Sequence, residues 1–314
     1  MTLLLQYTII FASVLMLVAL GGCFAERSGV INIGLEGIMV IGALGGALVL
    51  KFLPVTVGPV VMVLCTVLAS ALLGLLYSLL LAVAAISFKA DQTITGTAMN
   101  MLATAGATVA VKAMNTAMTG GTDVSSDIPY THTKDLLLVR LGNFEFNWFM
   151  LVAVLCLVAA YVALYKTKFG LRLRACGEHP QAADSVGINV YKMRYAGVLI
   201  SGLLGGLGGI VYITAGVSVW KFENGVAGFG FLAMAVMIFG GWHPLKIALA
   251  SLLFGFCRAL GNVYSGFDFL AAMNIPSVVY NMLPYIISLV VLAFTSKKSM
   301  GPKAAGIPYD KGTR

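Results

Sequence analysis

The 314-residue sequence is short of charge: Asp, Glu, Lys and Arg make up only 10% of it, against roughly a quarter in an ordinary soluble domain. That shortage excludes a conventional water-facing surface. With 60% hydrophobic residues and a mean hydropathy of +0.96, the chain reads as a membrane protein. Several chemical signatures are also missing. There is no GxxxxGK[ST] loop to cradle the phosphates of ATP, no GxSxG elbow and no kinase signature. His132, His179 and His243 lie far apart and make no HExxH or similar metal set. An enzyme is therefore not expected, nor a cofactor or metal bound by this chain. If it transports actively, the energy comes from another subunit or an ion gradient. Cys23, Cys65, Cys156, Cys176 and Cys257 form no CxxC pair, and four of them fall inside apolar runs as small buried hydrophobes. "LGGC" at 20–23 imitates a lipoprotein processing site, but no basic segment precedes it and a second apolar run follows, so no cleaved leader is expected.

What is abundant is the apolar run. Candidate spans fall at 3–23, 33–53, 57–87, 91–113, 147–165, 195–217, 227–241, 245–264 and 279–296. They predict an all-α polytopic bundle of about nine (8–10) transmembrane helices, forming one domain over 1–296 with a polar tail at 297–314. The formal charge of +8 does not indicate nucleic acid, because the basic residues cluster in two short stretches beside spans, where they encode orientation. In the connection 166–194, Lys166, Lys168, Arg172, Arg174, Lys192 and Arg194 outnumber Glu178 and Asp184, which makes it cytoplasmic. Lys297, Lys298, Lys303, Lys311 and Arg314 place the C-terminal tail on the same side, spans six to nine returning it there. Counting back leaves 114–146 extracytoplasmic, with Asp123, Asp127, Asp135 and Glu145 against Lys134 and Arg140, and the N-terminus outside as well.

Polar residues within spans are costly and face a bundle interior or a wet cavity. In "GVINIGLEG" (29–37), Asn32 and Glu36 stand four apart and would share one face of a helix; alternatively Gly29, Gly34 and Gly37 unwind the segment into a broken helix of the transporter kind. Glu36 is expected near the cytoplasmic end of its span. The two residues either line a path or merely bond neighbouring helices. Thr93, Thr97, Asn100, Thr104 and Thr108 fall on one stripe of a 3.6-residue helix, as in one wall of a hydrophilic passage, although threonines also bond back to their own helix. Ser251, Gly255, Arg258 and Asn262 make a shorter stripe, from which Arg258 can snorkel outward. Gly202 with Gly206, and Gly205 with Gly209, are spaced for close helix packing. Trp220, Phe222 and Trp242 read as interfacial aromatics. In the basic connection, "HPQAADSVG" has Pro180 to start and Gly187 to stop about two helical turns. So short a helix needs support from the rest of the chain or from a partner.

Taken together, "ERSGVINIGLEGIMVIGA" (26–43), "ADQTITGTAMNMLA" (90–103), "ACGEHPQAADSVGINV" (175–190), "FGGWHP" (239–244), "IPSVVYNMLPYIISLVVLAF" and "GPKAAGIPY" resemble the permease subunits of bacterial ABC importers in the ribose and branched-chain amino acid permease superfamily, particularly the nucleoside-type branch. The resemblance implies a type II importer fold in the inner membrane and a short cytoplasmic coupling helix. It implies as partners an ABC ATPase, a second permease chain, identical or related, and an extracytoplasmic substrate-binding protein meeting 114–146, with ATP bound by the ATPase alone. Glu178, His179, Pro180, Ala182, Ala183 and Gly187 would seat in the ATPase; Asn32, Glu36, Thr93, Thr97, Asn100 and Thr104 would line the path. The substrate class implied is a nucleoside, with sugars and flavins as alternatives. A secondary transporter carrying a proton on Glu36 is the rival reading, and a membrane scaffold a third.

Overall fold

The structure, a computed structural model, describes residues 2–141, 144–215, 219–267, 276–295 and 301–312. Among these, seven helices are long and apolar enough to cross a membrane: α1 (Thr2–Arg27), α2 (Leu35–Phe52), α3 (Pro59–Ala82, continued by a π turn over Val83–Ser87), α4 (Gln92–Met118), α6 (Trp148–Lys166), α9 (Val190–Thr214) and α11 (Pro244–Val263). Two further apolar helices, α10 (Phe229–Phe239) and α12 (Ser277–Thr295), answer to the remaining predicted spans. The one expected over 227–241 shrinks in α10 to 11 residues, about 16 Å, which crosses only half of a bilayer core of roughly 30 Å. Between the long helices lie the single-turn α5 (Thr131–Lys134), α7 (Lys168–Glu178) and α8 (Pro180–Ser185).

The connections hold more structure than hydropathy foretold. Residues 114–146 are not a plain loop: α4 runs on to Met118, and β1 (Asp127–Pro129) pairs antiparallel with β4 (Val219–Lys221), Ile128 opposite Trp220. A hairpin, β2 (Leu138–Leu141) with β3 (Phe144–Asn147), leads into α6. The Asn115 amide at the end of α4 donates to Ser125 O at 3.1 Å and Asp127 O at 2.9 Å, tying this cap down. At the opposite end of the bundle the basic connection is mostly helical. Thr167 caps α7, its hydroxyl accepting from Gly170 N–H at 3.2 Å, and α7 buries Gly170, Leu173, Cys176 and Gly177. Arg194, expected among the exposed charges there, lies inside the first turns of α9 and is 1% exposed. Orientation therefore rests on the other basic residues.

The centre of the bundle is α9, whose span is 72% buried, packed against α1, α2 and α3. Without a hydrophobic drive between helices in lipid, such packing depends on backbones approaching closely. The predicted glycine pairs supply this. Gly206 abuts Ser70 O and the Gly74 backbone of α3, Gly202 abuts Ser78, Gly205 abuts Ile38 of α2, and a side chain at Gly209 would strike the Met39 carbonyl. Gly42 of α2 meets Gly206 from the other side.

Replacing Gly209 with Val is expected to wedge α9 from α2 and cost about 1–3 kcal/mol or more, whereas Gly106→Ala, on an open face of α4 with nothing within 4 Å, should be neutral or slightly stabilising. Thermal denaturation of the two variants in detergent checks this, and equal midpoints would contradict it.

Candidate translocation site and coupling helix

Between α1 and α2 the chain unwinds. Gly29, at φ 98°, closes α1 with Val30 N–H reaching back to Ala25 O at 3.1 Å, and residues 28–34 run without helix until Leu35. This backbone is buried in protein, as irregular chain at membrane depth must be, and side chains complete its hydrogen bonds. Gln92 Oε1 accepts from Ile31 N–H at 2.7 Å; Asn100 donates to Ile33 O at 3.0 Å and accepts from Gly37 N–H at 2.7 Å. Gly96 and Gly37 let α4 approach close enough for this, since a Cβ on either would meet backbone. Asn100 thus brackets the start of α2 rather than pointing away from it.

The shared helical face proposed for Asn32 and Glu36 does not form, because Asn32 precedes the helix. Its amide donates to Ser201 Oγ on α9 at 2.9 Å, while Glu36 turns towards α10. There its two carboxylate oxygens accept from the N–H groups of Gly228 at 2.7 Å and Gly230 at 2.6 Å. Glu36 therefore caps the N-terminus of α10 from another helix, where unpaired donors and the helix dipole favour an anion. α10 then runs about 15 Å to the turn at Trp242. Glu36 thus sits in the first turn of α2, at one end of that span as the sequence suggested.

Along α4 the buried stripe is Gln92, Gly96, Met99, Ala103, Ala107, Val111 and Asn115. The threonine stripe runs beside it, towards the exposed face that carries Ile94 and Met101. Thr93 and Thr97 are exposed, Thr97 bonding back to Thr93 O at 2.8 Å, and Thr104 bonds back to Asn100 O at 3.3 Å. Thr104 borders Gly225, three residues before the Glu36 contact, and Lys112 pairs with Glu223 beside it. Thr104 thus meets the same 225–230 segment that Glu36 binds, with Thr93 and Thr97 further along α4. Arg258 does not snorkel. It is half-buried, bonded to Asn281 Oδ1 of α12, with Phe11 and Phe229 rings 6.0 and 5.5 Å away. Spacing within α11 marked Arg258, but no sequence pattern pairs it with Asn281.

At the α8 end, Arg27 donates to Trp242 O at 3.2 Å and lies 3.7 Å from Glu178 at the end of α7. Trp242 is no interfacial aromatic: it is 7% exposed, sits at φ 54°, and its indole donates to Glu26 at 2.6 Å; Phe222 is likewise buried. Of the predicted coupling residues, Pro180 and Ala183 turn inward, Ala183 packing with Cys176, Val190 and Tyr309, because only that face of α8 meets the bundle. His179, Gln181, Ala182, Ser185 and Gly187 are exposed and Glu178 is half-buried, while Val186 is 74% exposed.

The tail is not free. Ala304 N–H donates to Gly177 O at 2.8 Å, Gly306 N–H to Gly29 O at 3.2 Å, and Arg194 to Ile307 O at 2.9 Å. Lys89 bonds Asp310 at 2.8 Å and holds its carboxyl below the usual carboxylate range. Residues 301–312 therefore strap the α7–α8 pair to the unwound segment; Lys297, Lys298 and Arg314 lie outside the described residues. Burial pushes the Cys176 thiol up to about 11.

Removing the strap's anchor, Tyr309→Ala, should speed maleimide labelling of Cys176 by roughly tenfold, as a local loss of about 1.4 kcal/mol would; unchanged labelling, read by mass spectrometry, would contradict the strap. Glu36→Gln presents an amide to two N–H donors and should lower stability by about 1.5–3 kcal/mol, measurable as a drop in the detergent melting temperature.

Over residues 4–294 the sequence matches the family described as branched-chain amino acid transport system / permease component. It is 41% identical over 322 residues to the guanosine ABC transporter permease protein NupQ of Bacillus subtilis (strain 168), covering 100% of this chain and 98% of NupQ. Identity to the nucleoside ABC transporter permease protein NupC of Lactococcus lactis subsp. cremoris (strain MG1363) is 39% over 307 residues, 96% of this chain and 95% of NupC. The putative glucose ABC transporter permease protein TsgC13 of Haloferax volcanii is 31% identical over 263 residues, 82% of this chain and 76% of its own. A broken-helix bundle with a projecting two-turn helix, matched along nearly its whole length, is thus a non-enzymatic membrane subunit of an ABC transporter, and the chain belongs to the branched-chain amino acid transport system permease family.

Proposed function

We propose that this chain lines the solute path of a nucleoside importer and takes its power stroke through α8. The reading is supported most directly by α8 itself: its inner face is anchored by Ala183, Cys176, Val190 and Tyr309, and its outer face, Gln181, Ala182, Ser185 and Val186, is exposed among the described residues. A helix of six residues held on one side and bare on the other suits a groove in a cytoplasmic ATPase. The basic residues of 166–192 favour the cytoplasm for that face and for the C-terminal tail. A second permease chain and an extracytoplasmic binding protein complete the assembly, the binding protein meeting the strand end of the bundle.

Closure of the ATPases would draw on α8, and through Glu178, Arg27 and Trp242 on the foot of α10, whose head Glu36 holds. The bundle then alternates between states that different ligands favour. Solute passes Glu36, Thr104 and the exposed threonines Thr97 and Thr93, meeting weak contacts so that release is not stalled. Asn32 and Asn100 shape the path by holding the unwound segment. A nucleoside is favoured over a sugar because the two nucleoside relatives match at 41% and 39% across the chain and the glucose relative at 31% across 82% of it. Proton carriage by Glu36 suits neither its place at one end of α2 nor the carboxylate's partners, since both oxygens accept from backbone donors.

With the complete transporter in proteoliposomes, Val186→Asp should reduce ATP-driven nucleoside uptake at least about tenfold, a loss of about 1.4 kcal/mol in transition-state terms, while Val186→Ala leaves it near normal. Undiminished uptake by the aspartate variant overturns the docking assignment.

A further inference from the structure

We infer that the C-terminal tail is a second coupling element: residues 304–309, through Arg194, make the unwound segment 28–34 follow the movement of α8, so that solute passes only when ATP is hydrolysed. The inference rests on the importer reading above and gives the tail and Arg194 a positioning role that the route through α10 does not supply.

Arg194 is the fifth residue of α9 and is 1% exposed. Its Nη1 donates to Ile307 O at 2.9 Å, while Nε and Nη2 are buried without a partner among the described residues. The guanidinium lies face-on to Gly29: a side chain there would begin 2.9 Å from Nη2 and 3.2 Å from both Nε and Cζ. The Tyr309 ring is 6.0 Å from its Cζ. One side chain of α9 therefore touches the unwound segment and the tail together. An arginine so sparsely bonded adds little cohesion, since an apolar side chain of similar bulk fills such a place without loss. What it adds is a tie between three elements.

The tail carries that tie to α8 by a short path. Ala304 N–H bonds Gly177 O near the end of α7, Gly306 N–H bonds Gly29 O, and Tyr309 packs with Cys176 and Ala183 and meets the Tyr191 ring edge-on at 5.3 Å. Gly306 stands at φ 80°, and a side chain on it would strike Ile31 Cδ1 at 2.9 Å, so the tail lies directly on the unwound segment. Six residues pinned at both ends and in the middle have no slack. A displacement of Ala183 beneath Tyr309 is therefore delivered to Gly29.

The unwound segment is able to respond. Of the seven buried side-chain N and O atoms without a partner among the described residues, four border it: Asn32 Oδ1, Gln92 Nε2, and Nε and Nη2 of Arg194. Asn32 and Gln92 each spend one end of the amide, on Ser201 Oγ and on Ile31 N–H. Buried polar groups left half-paired penalise the present arrangement, and a small shift that pairs them offsets the bonds it breaks. That brings a second arrangement of the segment within reach, as a switching element requires.

The test measures ATP hydrolysed per solute imported by the complete transporter in proteoliposomes, with saturating binding protein and a mixture of purine and pyrimidine nucleosides. Arg194→Met keeps the bulk and removes the tie. Its melting temperature should be unchanged or raised and the ATPase should still co-purify, yet ATP consumed per nucleoside should rise about tenfold, because uptake falls while hydrolysis continues. Gly306→Ala pushes the tail from Ile31 with Arg194 and Tyr309 in place and should raise the ratio at least about threefold; it carries the expectation alone if the methionine variant does not assemble. A ratio within about twofold of the unaltered transporter's, in either assembled variant, overturns the coupling role, and an equal loss of uptake and hydrolysis does so too, since it marks a merely structural part. Failure of the unaltered transporter to couple nucleoside uptake to ATP overturns the importer reading instead, and shows before any substitution.

Discussion

Backbone that leaves its helix inside a membrane finds no water to bond, and the whole arrangement of this chain follows from meeting that constraint at residues 28–34. Backbone bonds recover part of what is freed there and side chains recover more, Gln92 for Ile31 and Asn100 for Ile33, with Asn100 also meeting Gly37 in the first turn of α2. Those bonds are possible only because Gly96 and Gly37 remove the side chains that would hold α4 away. The same constraint acts on the head of α10, where the unpaired N–H groups of Gly228 and Gly230 are met by Glu36. A break in one helix is thereby coupled to the start of another.

α10 thus acts as a strut with a carboxylate at each end. Glu36 grips its first turn, and Glu26 holds the indole of Trp242 just beyond its last. From Trp242 the connection continues through Arg27 to Glu178 and so to the α7–α8 pair. The C-terminal strap closes a second route, joining Gly177 and Asp184 at the α8 end to Gly29 and Arg194 beside the unwound segment. Two independent ties between the projecting helix and the interior suit a lever, since a displacement of α8 cannot be absorbed locally. The exposed ion pairs Lys311–Asp184 and Lys89–Asp310 contribute little energy to these ties. Packing of Tyr309 against Cys176 and Ala183 contributes more.

Much of this was legible in the residues alone. The apolar runs marked the membrane helices, glycine spacing identified α9 as a close-packing helix, and Pro180 with Gly187 bounded α8 within a residue or two. Where the reading failed, it failed in direction. Ala183 and Arg194 have the right neighbours in sequence but face inward, because which side of a short helix is covered depends on a tail more than a hundred residues away. Asn32 and Glu36 look like a pair at helical spacing, yet the helix starts between them.

Composition, hydrophobic period and the positions of glycine and proline determined that this chain spans a membrane, where its helices fall, and that one short helix stands apart from them. These are local properties, decided by what each stretch can bury and which backbone angles it tolerates. Only the tertiary structure decided that Glu36 caps α10, that Arg258 meets Asn281, and that the tail returns to the unwound segment. Those contacts join residues 23 to nearly 280 positions apart, and nothing in the spacing of a one-dimensional sequence encodes which buried donor will find which distant acceptor.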